Sequence, residues 1–227
     1  MELITKDTTL QALINMLDDP DDKVFSVVSN KLVSIGKPAI QPLEVALDNC
    51  FDQQLSDRIR HTAERIHQQA VRDDLREWAT MNPDDLLQGY MLLSRIVKRE
   101  PDDVEILSLV SQLKTDVWLE LNDDLTALEH IKVMNHILFK INRFIPDKED
   151  IFNPEHTYLH GLLQSKTGNH VSLGMLYLII ARQLGIPVYG VNLPKHFILA
   201  YMNDEGIIEP TPRSEERRVG KECRSRW

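Results

Sequence analysis

Residues 168–210 read GNHVSLGMLYLIIARQLGIPVYGVNLPKHFILAYMNDEGIIEP, and this stretch decides the fold class. Met175, Leu176, Tyr177, Ile179 and Ile180 make the segment after Asn169 apolar nearly all round, which predicts a buried helix. Gly185-Ile186-Pro187 predicts the turn that ends it. Residues 187–193 and 195–202 are rich in Val, Ile, Tyr and Phe, the composition of strands. Residues 203–206 predict a hairpin turn, and Ile207 and Ile208 open a further strand. Helices followed by a meander of strands predict an α+β fold.

The chain before this stretch is helical in pattern. Leu10, Leu13, Ile14 and Leu17 lie at helical spacing, and Val24, Val27, Val28, Leu32 and Ile35 form a second stripe that Gly36 ends. Pro38-Ala39-Ile40 starts a third helix through Leu43 and Leu47. The pattern DDPDDKV…LVSIGKPAIQPLEVAL resembles a HEAT-type helical repeat, with residues 55–71 as a degenerate second unit. One or two units make a helical cap, not a solenoid. Asn82-Pro83-Asp84-Asp85 and Glu100-Pro101-Asp102-Asp103 read as helix starts, with Asn82 as N-cap of the first. Residues 126–144 read as one helix with Leu128, Ile131, Met134, Leu138 and Ile141 as its apolar set. Trp78 and Trp118 read as packing anchors, and Cys50, beside Phe51, as a small buried apolar group.

The chain has 227 residues, 42% of them apolar, enough for one large domain or two small ones. The longest apolar run, near 175–181, is far short of the roughly 20 residues of a membrane span, and MELITKDTTL lacks the regions of a signal peptide. A cytoplasmic protein is expected. Residues 213–227, RSEERRVGKECRSRW, resemble one reading frame of a common sequencing adapter. The expectation is that coding information stops near Pro212 and that the natural protein is longer. Without that tail's six basic and three acidic residues the formal charge moves from −9 to −12. So acidic a chain is a poor partner for a phosphate backbone, which argues against nucleic-acid binding. Cys223 leaves with the tail, and Cys50 alone forms no disulfide framework.

The layout of 168–210 resembles the transglutaminase-like superfamily, a branch of the papain-like fold. The resemblance is tightest to its bacterial SirB-type branch. It is carried by residues 127–139, by Asn-Pro-Glu-His-Thr-Tyr-Leu at 153–159, and by 168–199 with its Leu-Pro-Lys-His-Phe ending. It spans roughly 73–212, so the expected division is a HEAT-like cap at 1–72, a truncated transglutaminase-like domain at 73–212 and a non-native tail. In that family a Cys opens the helix, a His follows on a strand and an Asp on the next strand. By the family's spacing, the Cys position falls on His170, the His on His196 and the acid on Glu209.

A helix start lowers a thiol pKa and yields a thiolate, whereas the same dipole disfavours an imidazolium. His170 is therefore a poor stand-in for the nucleophile. The leading expectation is a non-catalytic pseudoenzyme that binds a protein or peptide at His170, His196 and Glu209, with Asn169, Ser172 and His156 as further pocket candidates. The alternatives are a hydrolase or acyltransferase using His196 and Glu209 with an unconventional nucleophile, and a structural interaction scaffold. Two His and one Glu also form a known catalytic zinc set, so the same three residues are a candidate metal group; no other cofactor is implied. Ser172, two positions from His170, is expected to face the other side of the helix.

Overall fold

The computed structural model describes residues 2–97, 102–122, 124–148, 153–194, 196–202 and 208–210. It is a helix-rich α+β structure of two compact units, Met1–Asn82 and the chain from Pro83 onward. No described helix is long and apolar enough to cross a membrane. The expected hairpin turn at 203–206 and the tail at 213–227 lie outside the described residues.

The first unit is helical. It contains α1 (Glu2–Asn15), α2 (Asp22–Ile35), α3 (Ile40–Asp48) and α4 (Gln53–Met81). Asp21 caps α2 by accepting from the Lys23 N–H at 2.8 Å, and Asp52 caps α4 through Leu55 N at 2.7 Å. Gly36 ends α2 at φ 76, a conformation that favours glycine. Leu10, Ile14, Leu17, Leu32, Leu43, Ile59 and Ile66 form its core. Helix α4 runs unbroken across position 72, and Asn82 closes it as C-cap rather than opening the next helix. The reason is Pro83, which biases the residue before it out of the helical region. Cys50 is half-buried with its Sγ donating to the Asp52 carbonyl, and Phe51 is fully exposed, so that corner is a surface turn and not core.

The second unit begins with α5 (Leu86–Ser94), capped by Asp85, and α6 (Asp103–Trp118), capped by Asp102. Helix α6 buries Ile106, Val110, Leu113 and Val117. Trp118, about 100° further round the helix, faces solvent and anchors nothing in the core. Helix α7 (Ala127–Asn135) continues into a π-helical turn, His136–Ile141, where a single α-helix was expected. Ile131, Met134 and Leu138 are buried, while Leu128 and Ile141 are exposed. The wider turn carries Ile141 off the stripe.

After β1 (Ile145–Pro146) come α8 (Pro154–Thr157), α9 (Leu159–Ser165) and β2 (Thr167–Gly168), with β1 and β2 paired in parallel. Helix α10 (His170–Gln183) is the buried helix of the opening stretch. A turn with Gly185 at φ 70 leads to β3 (Val188–Leu193), β4 (His196–Met202) and β5 (Ile208–Pro210). These three form an antiparallel sheet in the order β3-β4-β5. Residues of α5, α6, α7, α9 and α10 join Val188 and Leu199 in one core. Tyr177 of α10 stacks on Phe139 of the π-turn.

Candidate functional site

The first turn of α10 is held by its cap. The Asn169 side chain accepts from the N–H groups of Val171 and Ser172, each at 2.9 Å. Its amide nitrogen donates to Thr157 Oγ1 at 3.1 Å. Ser172 Oγ lies 2.8 Å from the His156 carbonyl and 3.1 Å from that of Asn169, and the residue is 1% exposed. The segment 153–159 is thereby fastened to the helix start.

Other elements complete this latch. Tyr90 of α5 donates its hydroxyl to the Thr157 carbonyl at 2.6 Å. Ser94, one turn on, donates to the Tyr90 carbonyl and accepts from Leu159 N. Burial pushes the Tyr90 phenol well above its ordinary value, with the Ser172 hydroxyl pulling the other way. His156 Nδ1 lies 2.5 Å from Asp147 Oδ2, and the Asp147 N–H donates to the Gly168 carbonyl. Two glycines have no room for a side chain. A Cβ on Gly161 would stand 1.8 Å from the Glu155 carbonyl oxygen, and one on Gly168 would stand 2.6 Å from both Leu162 Cδ1 and Ser172 Oγ.

The residues expected to carry chemistry are placed differently. His170 opens α10 on the exposed side of the turn, next to Val171, which is also exposed. Helix α10 has 14 residues and β3 has six, so each is about 20 Å long. Joined by a short turn, they bring His170 and the Leu193–His196 end of the hairpin to the same end of the layer. His196 is exposed and pairs with Leu193. Phe197, Leu199 and Tyr201 pack into the core that contains α10. By strand alternation His196 shares the other face with Ile198 and Ala200. Glu209 pairs with Tyr201, five positions along β4 from His196, which is about 17 Å of strand. The Glu209 side chain lies outside the described residues. Among the described residues no three His, Cys, Asp or Glu stand together as a metal group.

The pocket candidates Asn169, Ser172 and His156 are thus part of the latch, and Ser172 is turned inward as its helical position requires. A cleft of about 330 Å³ in this unit is lined by Asp84, Asp85, Leu86, Leu87, Ile179, Arg182 and Gln183, at the opposite end of α10 from His170. Arg182 there donates to the carbonyl and carboxylate of Asp84. Sequence reasoning passed over Tyr90, Ser94, Asp147 and Thr157. Tyr90 falls among the apolar residues Leu86, Leu87 and Met91 at helical spacing, where a tyrosine reads as packing.

Comparison with known proteins gives one family. The model described as "Transglutaminase-like superfamily" matches residues 105–219, half of the chain. The matched span runs past Pro212, the point where the coding sequence was expected to end. Human F-box only protein 21 is 39% identical over 71 residues, 31% of this chain and 11% of that protein. A UPF0162 protein of Xylella fastidiosa is 32% identical over 79 residues, 35% of this chain and 28% of that protein. A UPF0162 protein of Vibrio cholerae is 23% identical over 116 residues, 51% and 43% of the two chains. The chain thus spans less than half the length of each of these relatives. No solved structure gives a significant match.

Proposed function

The chain belongs to the transglutaminase-like superfamily, and from that premise we propose that it is a SirB-type, non-catalytic member that binds a protein or peptide at the His170–His196 end of its core layer. The carrying observation is the first turn of α10. An exposed imidazole, His170, stands at the position the family gives to its thiol, and the neighbouring hydroxyl, Ser172, is sealed and bonded to carbonyl oxygens. A serine so placed cannot meet a substrate. The register distance between His196 and Glu209, about 17 Å of strand, supports the same reading, since an acid must stand beside its His to orient it. The free, half-buried Cys50 fits a reducing, cytoplasmic setting.

Turnover of amide, ester and thioester substrates tests the first half of this proposal. The protein is expected to give no more than buffer background, with or without added zinc, and His196→Ala is expected to match it. Turnover above background that His196→Ala abolishes would establish the enzyme instead. Selection from a phage-displayed random peptide library tests the second half. Binders weakened by His170→Ala and His196→Ala are expected; a library yielding none removes the binding role.

A further inference from the structure

Antiparallel strand pairs alternate between residues that exchange both ladder hydrogen bonds and residues that exchange neither. The Met202 N–H donates to the Pro187 carbonyl at 3.0 Å, and that bond fixes the alternation between β3 and β4. Tyr189, Val191 and Leu193 turn their backbone groups toward Ala200, Ile198 and His196. Val188, Gly190 and Asn192 turn theirs the other way. The Val188 N–H is taken up by the Ile186 carbonyl at 2.8 Å. The N–H and C=O groups of Gly190 and Asn192 point to the outer edge, where β3 is the last strand of its sheet among the described residues. Both residues are exposed.

Proteins guard such edges with charge, proline or a bulge. Strand β3 reads VYGVNL, with no charge and no proline, and its register runs unbroken over six pairs. The far side of the sheet differs. Pro210 of β5 sits opposite Ala200, and the same alternation directs its missing N–H outward. Among the described residues, one edge is therefore guarded and the other is open. Beside the open edge, Tyr189 and Leu193 are 45% and 43% exposed, on one face with Val191 between them.

The shape of the vacancy selects its occupant. A row of outward N–H and C=O groups is matched by an extended backbone and by little else. A second copy of this chain is a poor candidate. Edge-to-edge pairing over six residues is a strip about 20 Å by 10 Å, on the order of 400 Å² over both copies, against the roughly 1,200 Å² of stable interfaces. Each copy also carries a formal charge of −9, so two copies repel. The same charge attracts a cationic segment. We propose that the outer edge of β3 receives an extended peptide with basic flanks as an added strand, its alternate apolar side chains lying along Tyr189, Val191 and Leu193. This inference rests on the peptide-binding reading above and supplies its geometry.

The probe is a ten-residue peptide of alternating valine and threonine with two lysines at each end. On titration, the amide signals of Gly190 and Asn192 are expected to shift. Asn192→Pro removes one outward donor and no bond to β4, and is expected to weaken binding about tenfold, the value of one well-placed hydrogen bond. N-methylating the peptide amides along one of its edges is expected to abolish binding, while methylating the other edge leaves it. A glutamate-ended peptide is expected to bind about fivefold more weakly at low salt. Unmoved Gly190 and Asn192 signals, or equal affinity in Asn192→Pro, would overturn the proposal. So would a dimer in sedimentation that Asn192→Pro dissociates, since the occupant would then be a second copy. Binding lost in His196→Ala and kept in Asn192→Pro sinks the edge alone and leaves the pocket reading standing. Edge binding by a protein that selects no peptides sensitive to His170→Ala or His196→Ala sinks the pocket reading alone.

Discussion

Two groups of polar residues share the first turn of α10, and they are treated in opposite ways. On the inner side, Asn169, Ser172, Thr157, Tyr90 and the His156–Asp147 pair are joined by hydrogen bonds at 2.5 to 3.1 Å. On the outer side, His170 and His196 face solvent. Buried polar groups are costly unless satisfied, so the inner set is under strong structural constraint. The outer set is exposed, and no desolvation cost of that kind bears on it. Position relative to the helix start does not separate the buried frame from the exposed rim here. Burial and hydrogen-bond saturation do.

The contrast can be broken most sharply at Gly161. Gly161→Ala drives a Cβ against the Glu155 carbonyl, and is expected to lower stability by about 3 kcal/mol, at the upper end of overpacking costs. Urea unfolding measures it; an unchanged midpoint would mean that the 153–159 segment is not fixed. Asn169→Ala comes next. It removes the α10 cap and leaves Thr157 Oγ1 without its donor, an expected loss of about 2 kcal/mol.

A pair of tyrosines sharpens the point further. Tyr90 donates to a carbonyl, whereas the buried Tyr177 hydroxyl has no partner among the described residues. Tyr90→Phe should cost about 1 to 2 kcal/mol, and Tyr177→Phe should be neutral or stabilising. Equal losses would place both hydroxyls in the same role. The two phenols also set an alkaline limb. Burial raises both above the ordinary tyrosine value of about 10. The stabilisation is fully present below pH 10 and is lost as pH rises past it, because the unfolded chain releases these protons first. Denaturant midpoints between pH 9 and 11 should fall, and fall less in the double Phe variant. The smallest effect is expected on the outer side: His170→Ala and His196→Ala should each stay within about 0.5 kcal/mol. A loss several times larger would make that rim part of the frame.

What the sequence reveals of this follows from periodicity. The stripes Leu10–Ile14–Leu17 and Ile131–Met134–Leu138, and the all-round apolar α10, are buried as their spacing requires. The α+β order and the family resemblance follow from the 168–210 stretch. The latch is different in kind. Tyr90 meets Thr157 across 67 positions and Ser172 meets His156 across 16. Hydrogen bonds between distant polar groups leave no period to read. Single turns are equally silent. Asn82 has the composition of an N-cap, yet Pro83 makes it the end of α4. Spacing and resemblance single out His170 and His196, and the face that His196 takes emerges only from the strand register.

The π-helical turn at His136–Ile141 has a consequence for how this fold tolerates change. The Asn142 N–H reaches back five residues, to Ile137, instead of four. Such a turn stores one residue more than an α-helix needs. Deleting a single residue there would tighten the turn to ordinary α geometry without rotating Ile131 and Met134 out of the core, whereas the same deletion within α6 would turn every later side chain by about 100°. The turn is a seam at which chain length can vary while the packing downstream keeps its register.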